Sequence, residues 1–97
     1  MTPVVFSERS RTELREIGDY IAQDNPFRSV TFVNELIDKA EAVGHAPNAY
    51  PKRDDIQPGL RMAQYGSYLI LFRVEPVSIE IVHIVHGARD LRKMFEK

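Results

Sequence analysis

Apolar residues recur along the chain with a changing period, and each period predicts a different element. Val4-Val5-Phe6 is a short β-branched and aromatic run that stops at Ser7, and it reads as a first strand. Ser7 then suits a helix N-cap, with Glu8 in the positive first turn. Leu14, Ile17, Tyr20 and Ile21 follow at spacings of three and four, one face of a helix running from about residue 8 to about residue 23. Arg9, Arg11, Glu13, Arg15, Glu16 and Asp19 fall mostly on its polar side. Asn25-Pro26 breaks the pattern: Asn25 can cap a new helix and Pro26 fits its first position. Val30, Val33, Ile37 and Ala40 make the stripe of that second helix, and Phe27, Phe32, Leu36 and Val43 widen it. Gly44 sits at its C′ position and Pro47 blocks continuation. Two amphipathic helices joined so tightly predict an antiparallel hairpin.

Residues 45–59 show neither period; three prolines, two aspartates and a glycine make them a surface loop. Beyond it, Leu60–Gln64, Tyr68–Val74 and Ser78–Val85 read as a three-stranded meander. A two-residue turn at Pro76-Val77 sets Val74 opposite Ile79, Arg73 opposite Glu80, Phe72 opposite Ile81 and Leu71 opposite Val82. One sheet face then collects Tyr68, Ile70, Phe72, Val74, Ile79, Ile81, His83 and Val85, the face predicted to meet the helices. The other collects Leu69, Leu71, Arg73, Glu80, Val82, Ile84 and His86, with a cross-strand Arg73–Glu80 ion pair. For the preceding hairpin, a two-residue loop at Gly66-Ser67 sends Arg61 inward, and a three-residue loop at Tyr65-Gly66-Ser67 sends it outward. Burying an unpaired guanidinium costs several kcal/mol, so the three-residue loop is preferred, with Leu60 and Met62 inward. Residues 89–95 suit a short terminal helix near the outer face. The predicted fold is α+β, β-α-α-β-β-β, a helical hairpin packed on one face of a twisted antiparallel sheet.

Ninety-seven residues support one domain, 1–97, and 43% hydrophobic with 28% charged residues is ordinary globular composition. The net charge of −1 argues against a chain that coats nucleic acid. The charge is uneven: residues 1–50 hold five basic and eight acidic residues, and residues 51–97 hold eight basic and six acidic. Any anion-facing surface therefore belongs to the second half. No cysteine is present, which excludes disulfides and thiolate metal sites and fits a reducing compartment. Apolar runs such as Tyr68–Phe72 are far shorter than a membrane helix, and the first residues do not read as a signal peptide. The expectation is a cytoplasmic chain with no membrane partner.

Three segments carry a resemblance. Gly59-Leu60-Arg61, then Tyr68-Leu69-Ile70-Leu71-Phe72-Arg73, then Ile81-Val82-His83-Ile84-Val85-His86-Gly87-Ala88-Arg89-Asp90 resemble the ParE/RelE superfamily of bacterial toxins. Tyr20-Ile21, Asn25-Pro26 and the long second helix sit where that family has its helical hairpin. The resemblance implies the toxin of a type II toxin–antitoxin system, silenced by a cognate antitoxin in a hetero-oligomer. That antitoxin is expected to be small and ParD-like, with a DNA-binding N-terminus. ParE-like members inhibit DNA gyrase by binding and serve plasmid stabilisation; RelE-like members cut mRNA on the ribosome without a metal. His86-Gly87-Ala88-Arg89-Asp90 before a short basic helix looks more like the ParE branch. The RelE-like catalytic set is incomplete here: Phe95 stands near the end without a tyrosine, and the Lys-rich middle strand is missing.

Under the leading expectation, a ParE-like gyrase inhibitor, there are no catalytic residues and no cofactor. Leu69, Leu71, Arg73, Val82 and Ile84 form the antitoxin surface, and Arg61, Arg89, Arg92 and Lys93 face the target. Under the alternative, a ribosome-dependent endonuclease, Arg61, His86 and Arg89 are catalytic, with His86 as base or acid. A third reading is an inactive relic that only binds its antitoxin. Plainer roles stand beside these: His86 bonded to backbone at a strand end, His83 satisfied in the core, and Arg61 paired with Glu80 or Asp90. The three histidines have no clustered carboxylates and so no metal-site spacing.

Overall fold

Local sequence signals set the element boundaries. The computed structural model describes residues 1–95. Val4–Phe6 form strand β1. Ser7, in extended conformation, caps helix α1 (Glu8–Ala22) by accepting from the Ser10 N–H at 3.0 Å. Asn25 caps helix α2 (Pro26–Ala42) in the same way, its side chain accepting from the Arg28 N–H at 3.0 Å, with Pro26 at the first position. Short 3₁₀ turns at Val43–His45 and Pro47–Ala49 lead into the loop. Strands β2 (Leu60–Tyr65), β3 (Tyr68–Val74) and β4 (Ile79–His86) follow, then the single turn α3 (Leu91–Met94), capped by Asp90.

The sheet order is β1-β4-β3-β2. The last three strands form the expected antiparallel meander, and β1 adds in parallel beside β4, with Val4 opposite Ile79 and Phe6 opposite Ile81. α1 and α2 pack together over one face. There Leu14, Ile17, Leu36, Ala40 and Val43 meet Ala63, Ile70, Phe72, Ile79, Ile81 and Ile84. At roughly 1.5–3 kcal/mol for each large aliphatic side chain taken out of water, this core is the main stabiliser of the fold. The helices approach closely where Ser29 Oγ donates to the Gly18 carbonyl at 2.6 Å.

Four expectations are corrected. First, the β2–β3 loop has two residues, because Tyr65 pairs with Tyr68 and leaves only Gly66-Ser67. Gly66 takes φ +58°, which suits the first position of a tight hairpin turn. Leu60 and Met62 therefore join the outer side and Arg61 lies on the helix side, without the anticipated cost. Arg61 Nη1 donates to the Tyr50 carbonyl at 2.7 Å and the Asn48 carbonyl at 3.4 Å.

Second, β4 carries a bulge. Phe72 pairs with Ile81 as predicted, but Leu71 pairs with His83, so Val82 is an extra residue. The faces exchange beyond it: Ile84 enters the helix-side core and Val85 the outer cluster. Third, the outer face is not bare. Leu60, Leu71 and Val85 are buried beneath Ile56 of the loop and Leu91, Met94 and Phe95 of the α3 segment. Fourth, Gly44 stands at C′ after the Val43 cap, as expected, but without the left-handed φ that usually calls for glycine there. It is buried against the N-terminal segment, where a Cβ would stand 2.5 Å from the Thr2 carbonyl oxygen, and its own carbonyl accepts from the Thr2 N–H at 3.1 Å.

Candidate functional site

β1 is three residues long and β4 is eight, so most of β4 has no neighbouring strand on that side. α1 fills the place. The Ser7 N–H donates to the Ile81 carbonyl at 3.0 Å and Ser7 Oγ donates to the Val82 carbonyl at 3.0 Å. Further along α1, Glu13 Oε1 accepts the Ile84 N–H at 2.9 Å. The bulge turns His83 toward the same carboxylate, with Nδ1 at 3.0 Å from Oε2, and Arg9 Nε lies 3.5 Å away. Glu13 is 4% exposed and His83 15%. An open strand edge invites pairing with another chain, and here two helix side chains block it. Glu13, expected on the polar side of α1, is thus a core-facing residue. His83 is satisfied by this pair as expected, but not in the helix-side core: it stands opposite Leu71 and its ring is edge-on to Phe95, centroids 5.2 Å apart, on the outer side.

Past this pair the end of β4 and the C-terminal half of α1 enclose a cleft of about 230 Å³. Ile17, Ile84 and Val85 line it, with Glu16, Tyr20, Tyr68, His86 and Arg89 among its polar groups. His86 lies here because the bulge exchanged the faces; it was expected on the outer side. Its ring stands edge-on to Tyr68, centroids 5.4 Å apart. His86 Nδ1 accepts the Ala88 N–H at 3.1 Å, so in the neutral ring the proton belongs on Nε2. Burial pushes the Tyr68 hydroxyl above its ordinary pKa, and nearby Tyr20 adds to the shift.

His86 and Arg89 share this cleft, and Arg61 does not. Arg61 is level with Phe72 and Ile81, whereas His86 is level with Tyr68 and Tyr65. Four residues along the strands and two strands across separate their backbones by roughly 17 Å. The proposed catalytic trio is therefore not assembled.

The outer face holds the remaining sequence-derived candidates. Leu69 is 8% exposed and Leu71 is fully buried, while Ile84 is not on this face at all. Val82 is half-buried beside the outer cluster. Arg73 and Glu80 are cross-strand partners, yet among the described residues no ion pair joins them within 4.0 Å. Arg92 and Lys93 are exposed on α3. Arg92 reaches Asp55 at 3.7 Å, and Arg53 grips that same carboxylate with two hydrogen bonds of 3.0 Å. This holds Asp55 below the ordinary carboxylate range and ties α3 to the loop. A second cleft, of about 390 Å³, lies between Arg53, Arg89 and Arg92.

Two features had no sequence signal. Arg28 forms a bidentate pair with Glu35 (2.7 and 3.2 Å), and the Tyr65 hydroxyl donates to the same carboxylate. These bonds hold Glu35 below its ordinary value and raise Tyr65. The second is an apolar groove on the outside of the helical hairpin. A hollow of about 480 Å³ between α1 and α2 includes Leu14, Val30, Val33 and Ile37. Leu14 and Ile37 also line the adjoining hollow of about 430 Å³ beside β1. Val30, expected in the packed stripe, is 63% exposed at its rim, and Phe27 is 87% exposed.

Among the described residues no group of His, Asp or Glu forms a metal site, and no helix is long and apolar enough to cross a membrane. The sequence matches the family profile "ParE toxin of type II toxin-antitoxin system, parDE" over residues 4–91. The chain belongs to the ParE toxin family. Two solved structures are similar in fold to this ParE-family chain. The chromosomal ParDE toxin–antitoxin system from P. aeruginosa superposes with a TM-score of 0.76 at 20% identity, covering 89% of this chain and 96% of that one. The RelBE2 toxin–antitoxin complex from Mycobacterium tuberculosis gives 0.63 at 18% identity, covering 88% and 96%. No curated protein sequence matches the chain significantly.

Proposed function

We propose that this ParE-family chain is a toxin that inhibits DNA gyrase by binding it, without chemistry of its own, and that a cognate ParD-like antitoxin in the cytoplasm neutralises it. The observation that carries the choice between binding and catalysis is the dispersal of the candidate catalytic residues. Metal-free RNA cleavage needs a base, an acid and cations converging on one phosphate. Arg61 is engaged by loop carbonyls far from His86. The acceptor nitrogen of His86 is engaged by its own backbone turn, leaving a donor, not a base, to face the cleft. The alternative, ribosome-dependent mRNA cleavage, requires these groups to regroup on the ribosome.

For the antitoxin, the buried state of Leu69 and Leu71 argues against the outer sheet face in the free toxin, and Ile84 lies in the helix-side core. The hairpin groove with its exposed Val30 and the neighbouring Val5 offers apolar area that needs no rearrangement. Target contact remains assigned to Arg89, Arg92 and Lys93, which are exposed, and Arg61 is withdrawn from it to a structural role. Expression in cells tests the reading. Growth arrest with a DNA-damage response, relieved by the neighbouring antitoxin frame and unchanged by His86→Ala, supports it. Arrest abolished by His86→Ala and accompanied by cut transcripts overturns it. Full viability at high expression points instead to the relic.

A further inference from the structure

We propose that the cleft between the end of β4 and α1 binds an unpaired guanine nucleotide, the base between Tyr20 and the Tyr68–His86 pair and the phosphate toward Arg89. The inference does not depend on gyrase being the target.

Size comes first. At about 230 Å³ the cleft lies below the roughly 300–1,000 Å³ of pockets that enclose drug-sized ligands, so it suits one flat ring system. Its composition suits a ring face. Ile17 and Ile84 supply apolar surface, and Tyr20 and Tyr68 line it too. Tyr20 is 69% exposed, an aromatic that covers no part of the core. Unstacked bases are held on such side chains and read along their edges by polar groups.

The polar groups then select the ring. Glu16 is exposed and accepts only; Glu13 is already occupied by Ile84 and His83. His86, with Nδ1 engaged, presents an Nε2–H donor. A carboxylate matches the adjacent N1–H and N2 amino donors of guanine, and a donor on the opposite side matches its O6 and N7 acceptors. Thymine and uracil offer one ring donor flanked by two carbonyls, a poor match to a carboxylate. An indole from a protein partner offers one N–H and leaves His86 and Arg89 without a partner.

The phosphate would meet a separate set of residues. Arg89 lines both this cleft and the neighbouring one formed with Arg53 and Arg92. A strand whose base entered the first cleft would carry its next phosphates across the exposed His86–Asp90 linker onto Arg89 and the 71% exposed Arg92, Arg53 being held by Asp55. A guanine in a single strand and free guanosine monophosphate share this chemistry, and the test separates them.

The experiment is fluorescence anisotropy with the purified full chain and labelled uridine octanucleotides with or without one central guanine, in ribose and deoxyribose forms, with unlabelled GMP as competitor. The expected result is preference for the guanine-bearing strand by about tenfold. Tyr20→Ala should weaken it about tenfold, the loss of one base–aromatic stack. Glu16→Gln should abolish the guanine preference while leaving the uridine strand unaffected. Arg92→Ala should weaken all strands alike and flatten the salt dependence. Circular dichroism checks that these surface variants fold. GMP competing as well as the strand would assign the free nucleotide as ligand; a strand at least tenfold tighter would assign nucleic acid. Equal affinity for strands with and without guanine, or preference intact in Glu16→Gln and Tyr20→Ala, would overturn the proposal.

Discussion

Replacing Glu13 by alanine should be among the most damaging single changes in the helices, although the residue is a carboxylate on a surface-patterned segment. The loss can be built from its contacts. The Ile84 N–H, a buried donor 2.9 Å from Oε1, is left without an acceptor, at about 1–3 kcal/mol. His83 at 3.0 Å loses its partner but is 15% exposed and can rehydrate, so about 0.5–1.5 kcal/mol suffices there. Arg9 at 3.5 Å is half exposed and adds about half a kcal/mol at most. Relief from burying a charge offsets part of the total, which leaves about 3 kcal/mol. For a domain of this size that lowers Tm by roughly 12–24 °C. Glu13→Gln keeps an acceptor for Ile84 and should cost about half as much. Urea unfolding followed by far-UV circular dichroism and tyrosine fluorescence measures both, since the chain has four tyrosines and no tryptophan. An alanine variant within about 0.5 kcal/mol of wild type, or a glutamine variant as damaging as the alanine one, would refute the edge-capping argument.

Further outcomes follow from the same packing. Leu71→Ala should cost about 2–5 kcal/mol in urea unfolding, because Leu71 is fully enclosed between the sheet and the α3 segment. A loss under 1 kcal/mol would mean that α3 does not cover the face. Gly44→Ala should destabilise and loosen the N-terminal segment, read as faster amide exchange at Thr2, since its Cβ would meet the Thr2 carbonyl at 2.5 Å. Glu35 has its pKa depressed below the ordinary 4.5, so its contribution is present above that value and lost as pH falls through the folded value. The stability gap between wild type and Glu35→Gln should be open at neutral pH and close in acid. Tyr65 is raised above 10.0, so the gap to Tyr65→Phe should hold at neutral pH and close in strong alkali.

Capping residues and period made the helical hairpin legible: Ser7, Asn25 and Pro26 each act as their local chemistry predicts. The Pro76-Val77 turn fixed the β3–β4 register through Phe72 and Ile81. Counting then failed at Val82, because a bulge leaves no mark in an alternating apolar run and reverses every later face. That single residue moved Ile84 and His86 to the helix side, and with them the candidate site. Arg61 was misplaced for another reason. An inward guanidinium is costly only when unpaired, and the carbonyls that satisfy this one belong to Asn48 and Tyr50, in a loop without period. The Glu35–Tyr65 bond spans 30 residues and depends on how α2 lies over β2, which no local pattern encodes.

The central claim is inhibition by occupancy, and stoichiometry tests it. Titrated into a fixed amount of gyrase, the purified toxin should stop supercoiling at a toxin-to-gyrase ratio near equivalence, and addition of antitoxin should restore it in proportion. Translation in an extract halted by toxin far below the ribosome concentration, with new 5′ ends on the transcripts and gyrase untouched, would contradict the account.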